Sequence, residues 1–141
     1  MEGRSFYAIT AAQIISAGVV VWVAFFWRQD WDWQRGVGAG LMILGMTGAA
    51  VARYQLGRSF SIRPEARQLV THGIYSKIRN PIYVFGAALF AGFILVLHHP
   101  GLWLLWVAIA IMQIIRAHRE ARVLEAAFGE AYREYRRKTW F

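Results

Sequence analysis

Leu69-Val-Thr-His-Gly-Ile-Tyr-Ser-Lys-Ile-Arg-Asn-Pro-Ile-Tyr83 is a short polar island between apolar runs, and its reading decides how the rest of the chain is arranged. Asn80 precedes a proline and is therefore pushed away from helical geometry, while Pro81 is well placed as the first residue of a new helix. Gly73 can take a positive φ and let another group approach the backbone closely. Tyr75 and Tyr83 supply aromatic faces on either side of the turn. The stretch is a loop feeding an apolar helix.

Working outward, apolar runs flank the island on both sides. Hydrophobic residues make up 57% of the 141, with seven Trp and thirteen Gly, far above a soluble domain of this size. Four apolar spans are expected, at about 6–27, 36–52, 82–97 and 102–115. The last two are short and turn tightly at His98-His-Pro-Gly101, so they form a helical hairpin. The fold class expected is therefore an all-α integral membrane bundle, one domain over 1–141, with a C-terminal amphipathic helix. Met1-Glu-Gly-Arg-Ser lacks the basic start of a cleavable signal peptide, and none is expected.

Charge placement gives orientation. Of sixteen Lys and Arg, two (Arg28, Arg35) fall in the turn between the first two spans and none between the last two. The other fourteen lie at the N-terminus, in the loop 53–81 and in the tail 116–141. Positive residues collect on the cytoplasmic side, so both termini and both polar clusters are expected there. The net charge of +8 is thereby explained by the bilayer, and no nucleic-acid partner is expected. Gly36-x-x-x-Gly40 in the second span is taken as a helix-packing motif. Trp22, Trp27, Trp31 and Trp33 suit an interfacial belt.

The second polar cluster is Arg116-Ala-His-Arg-Glu120. Arg116 and Glu120 are four apart and share a helix face, which on its own gives an ordinary ion pair. Beyond it Val123, Leu124, Ala127, Phe128, Ala131, Tyr132 and Tyr135 recur at helical spacing opposite charged residues, and Gly129 can break the helix after Phe128. The chain has no cysteine, which removes disulfides, thiolate metal sites and Cys nucleophiles. His98 and His99 read as hydrated turn residues, and no metal site is expected.

Taken in order, Leu69-Val-Thr-x-Gly-x-Tyr75, Arg79-Asn-Pro-x-Tyr83, Arg116-x-x-x-Glu120 and Phe128-Gly-x-x-Tyr132-x-x-Tyr135 resemble the isoprenylcysteine carboxyl methyltransferase family. That family also resembles phospholipid N-methyltransferases. The resemblance implies an integral membrane enzyme that binds S-adenosylmethionine from the cytoplasm. It implies that Arg67, Gln68, Leu69 and Val70, with Gly73, Tyr75, Asn80, Pro81, Ile82 and Tyr83, surround the donor. Glu120 is then the group that holds the donor's ammonium, and Arg116 the catalytic residue facing the acceptor. The chain departs from the family at Asn80, where His is common, and at Ala121, where a second Glu is usual.

The chemistry is consistent with those residue types. Methyl transfer from a sulfonium needs positioning and electrostatics more than covalent participation. A carboxylate acceptor is already ionised at neutral pH and needs no base, and an Arg can hold it in a forked geometry. The acceptor implied is a lipophilic, isoprenoid-like carboxylate entering from the bilayer, with membrane lipids as the surrounding partners. An amine acceptor, as in a phospholipid, requires a proton to be removed, with His72, His118 or a tyrosine as candidates. A catalytically silent membrane module with the same fold is the reading from a different class.

Overall fold

The structure is a computed structural model and describes residues 30–57 and 69–141, with positions 15, 18, 19, 21, 22 and 26. The expected first span, about 6–27, and the site candidates Arg67 and Gln68 lie outside the continuously described residues. Among the described residues the fold is all-helical. It comprises α1 (Trp33–Leu56), a 3₁₀ turn (Gly73–Ser76), α2 (Pro81–Leu97), α3 (Leu102–Phe128) and α4 (Glu130–Lys138). The helices α1 and α3 are each long and apolar enough to cross a membrane, and α2 is apolar but shorter.

Each boundary has a local cause. Asp32 is extended, and its carboxylate accepts the Arg35 N–H at 2.8 Å, satisfying a donor that the first turn of α1 leaves unpaired. Pro81 opens α2 as its first residue, as the sequence predicts. His98 ends α2 in the left-handed region at φ 54°, a conformation usually left to Gly or Asn. Gly129, at φ 52°, separates α3 from α4, again as expected.

Two expectations need correction. The fourth apolar run does not end as a helix at Ile115: α3 continues unbroken through Arg116 and Glu120 to Phe128. Nothing in 102–128 interrupts the helix, because neither Pro nor Gly occurs there. Arg35, expected in an interhelical turn, is instead inside the first turn of α1. It is only 1% exposed, with its guanidinium 5.4 Å from the centre of the Trp31 ring, within cation–π range.

The pairing of α1 with α2 is the tightest among the described residues, and a glycine face makes it so. A methyl group added at Gly45 would lie 2.5 Å from Leu89 N and 2.6 Å from Phe85 O, and one at Gly38 would lie 2.7 Å from Gly92 O. At Gly48 the same position is filled by the Phe85 ring. At Gly36 and Gly40, the predicted packing pair, an added methyl group would meet nothing within 4 Å among the described residues. The contact face is thus Gly38, Gly45 and Gly48, offset by about half a turn from the expected one. Met42 and Val96 close the core between the helices, with Leu89 and Phe93 against them. The indole N–H of Trp106 donates to Ala87 O at 2.9 Å, tying α3 to α2.

At the end of the bundle remote from the 3₁₀ turn, His98 Nε2 lies 2.8 Å from Asp32 Oδ2, linking the α2–α3 turn to the cap of α1. The Asp32 hydrogen bond, and then the Val96 carbonyl, raise the His98 pKa above its ordinary 6.5, with Arg35 opposing. The Arg35 backbone N–H, and then His98, lower Asp32 below 3.8. A raised His pKa stabilises the fold below its unfolded value, and that contribution disappears as pH rises through the folded value. A lowered Asp pKa stabilises above its unfolded value and is lost as pH falls through the folded one. The latch therefore contributes most between about pH 4 and 6.5. The melting-temperature difference between wild type and Asp32→Asn, which keeps a capping side chain, is expected to peak in that window and shrink above it. A difference independent of pH would contradict the assignment.

Candidate active site

The turn Leu69–Asn80 reaches the helices from one side. Val70 and Tyr75 are buried with Ala52 of α1, and Leu56, Ile74 and Ile82 pack around them. Of the predicted donor-binding residues, Val70, Tyr75 and Ile82 thus form an apolar floor. Pro81 is also buried. Gly73 takes φ 60°, and the space beside it is occupied by the Gln55 side chain. Gln55 Oε1 accepts the Ile74 N–H at 2.7 Å. The glycine therefore admits a side chain of α1, and Gln55 pins the 3₁₀ turn to that helix.

On this floor the two polar clusters meet. Tyr83, one turn into α2, donates its phenolic O–H to Glu120 Oε1 at 2.6 Å. Arg116 Nε donates to the same oxygen at 3.1 Å, and its guanidinium carbon stands 6.0 Å from the Tyr83 ring centre. The expected i,i+4 pair is therefore present. Its side chains remain 43% and 24% exposed for Arg116 and Glu120, so its own contribution to stability is at most about 1 kcal/mol. Its geometry matters more. Both donors fall on Oε1, which leaves Oε2 open among the described residues.

Tyr75 belongs to the same neighbourhood. Burial raises its phenol pKa, with Tyr135 and Glu120 adding to the effect, so it stays protonated through the physiological range. Tyr135 donates to the Tyr75 carbonyl at 2.7 Å and is itself raised to about 12, mainly by burial. Asn80, expected to face a ligand, donates its side-chain N–H to Phe141 O at 3.0 Å. His118 contacts the Ile114 carbonyl of its own helix at 2.8 Å through Nδ1.

Sequence spacing did not reveal Gln55, Tyr135 as a partner of the turn, or Trp140 and Phe141. Tyr135 carried a partial signal, since it shares a helix face with Tyr132. Gln55 carried none.

Among the described residues, then, two helices are long and apolar enough to cross a bilayer, and an Arg–Glu–Tyr cluster joins α3 to the start of α2. The phospholipid methyltransferase family model matches residues 33–131, spanning both clusters and every helix between them, and the chain belongs to this family of methyltransferases. No curated protein and no solved structure matched it.

Proposed function

We propose that the chain is a four-span membrane methyltransferase that uses S-adenosylmethionine and methylates a lipophilic carboxylate at the cytoplasmic face. The carrying observation is the convergence of Tyr83 and Arg116 on Glu120, which brings together two clusters 37 residues apart in sequence. The residues suit the donor. A partly buried carboxylate in aromatic surroundings favours a cationic ligand, and its open oxygen can accept from an ammonium. S-adenosylmethionine supplies an activated methyl group on a sulfonium.

The protein's own residues then divide the work. Tyr83 and Arg116 fix the orientation of the Glu120 carboxylate, and Glu120 holds the donor's ammonium. Val70, Tyr75 and Ile82 form the apolar floor; Leu69, Gly73, Asn80 and Pro81, with Arg67 and Gln68 outside the described residues, are assigned to the donor's surroundings by resemblance alone. Arg116, balanced between Glu120 and the Tyr83 ring, orients the acceptor carboxylate for in-line attack. No group at the site needs to remove a proton. A phospholipid amine is the second reading, suggested by the name of the matched family. It requires a base, and His118 is turned to its own helix backbone.

Calorimetry of the purified protein in nanodiscs with S-adenosylmethionine and S-adenosylhomocysteine tests the donor. Binding of neither would exclude both enzyme readings and leave a silent module. Radiolabelled methyl transfer into extracted lipids followed by mild base tests the acceptor. A label released by base is the expected methyl ester; a base-stable label would overturn it in favour of the amine.

A further inference from the structure

After α4 the chain turns extended at Thr139 and lies parallel to the end of the turn, with a bridge between Ile78 and Trp140. Trp140 N–H donates to Lys77 O at 2.8 Å, Arg79 N–H to Trp140 O at 2.9 Å and Asn80 N–H to Phe141 O at 2.9 Å. The Asn80 side chain adds its own bond to Phe141 O at 3.0 Å. One helical turn earlier, Tyr135 holds the Tyr75 carbonyl at 2.7 Å. Five hydrogen bonds therefore run between Tyr75–Asn80 and the segment Tyr135–Phe141.

Asn80 makes the arrangement informative. It stands at the N-cap of α2, where an Asn side chain ordinarily accepts from its own helix, yet no such bond is made. Its amide faces the tail instead. Three residues further on, Tyr83 reaches Glu120. The entry angle of α2, and with it the placement of the Tyr83 hydroxyl, is thus tied to the tail.

We propose that Thr139–Phe141 form a clasp, and that these residues and Asn80 are positioning residues for the donor site. This rests on the methyltransferase reading above. The clasp acts on the donor-binding turn and not on the α1–α2 core, which is packed through its glycine face independently of the tail.

The test compares wild type, Asn80→Ala, Asn80→His and a variant ending at Thr139, each in nanodiscs. S-adenosylhomocysteine affinity is expected to fall by about tenfold in Asn80→Ala and in the shortened chain. KM for the donor should rise with kcat nearly unchanged, and Asn80→His should restore much of the affinity through its ring N–H. Hydrogen exchange should accelerate at Arg79, Asn80 and Tyr83 while α1 and the rest of α2 keep their protection. Wild-type affinity in both clasp variants would overturn the proposal. If wild type itself fails to bind, the methyltransferase reading falls, and the exchange data still decide the clasp: unchanged protection at 79–83 in the shortened chain would refute it.

Discussion

Glu120→Ala is expected to remove measurable binding of S-adenosylhomocysteine and, with it, methyl transfer. The carboxylate is the acid on which both sequence clusters converge, with Tyr83 at 2.6 Å and Arg116 at 3.1 Å on one oxygen. A charge-assisted hydrogen bond of this kind is worth about 2–3 kcal/mol to a cationic ligand, or roughly thirty- to 150-fold in affinity. Arg116→Ala gives the informative contrast. Its loss leaves Tyr83 still holding Oε1 of Glu120, so donor affinity should largely hold, whereas turnover should fall because the acceptor carboxylate loses its orienting group. Calorimetry and single-turnover methyl transfer separate the two effects. Equal loss of donor binding in both variants would mean that Arg116 and Glu120 act as one structural unit without divided roles.

Gly45→Ile carries the largest expected effect on the fold. At that position even a single added carbon lies within 2.6 Å of backbone atoms of α2, and backbone cannot swing aside as a side-chain tip can. The helices must move apart, which also loosens Met42 and Val96. Overpacking of this type costs about 1–3 kcal/mol, and the upper end applies because the obstacle is main chain. At Gly40, five residues away, an added Cβ meets nothing within 4 Å among the described residues, and Gly40→Ile should stay within about 0.5 kcal/mol of wild type. Thermal melting of the two variants in the same nanodiscs measures the difference. Similar melting temperatures would contradict the assigned contact face.

How far the sequence carried depended on whether a feature leaves a mark in residue type. The apolar runs, Pro81 at a helix start and Gly129 at a helix break were legible, because each follows from a local conformational rule. The meeting of Tyr83 with Glu120 was legible only through resemblance, since residues 37 apart carry no local signature of contact. The glycine face was misplaced because many glycines fit a close-packing motif, and only the facing helix selects among them. The continuity of α3 was missed because a change from apolar to charged residues was read as the end of a helix, although it marks only a change of surroundings. The clasp was invisible for another reason. Four of its five bonds use the main chain of Trp140 and Phe141, so those two residues need no particular side chain to make them.

The unbroken course of α3 has one more implication. From Leu102 to Glu120 the helix rises about 27 Å with no joint along the way, close to the ~30 Å of a bilayer's hydrocarbon layer. Trp103 and Trp106 stand at its beginning, and an edge-to-face contact links them at 5.8 Å. Seated in a bilayer by those rings, the helix is a ruler whose far mark is the Glu120 carboxylate. Membrane thickness then sets how deep that mark lies below the headgroups, and a change in thickness reaches the site as tilt of a single rigid rod. The lipid around such a protein is therefore a setting on the height of its chemistry as well as its solvent.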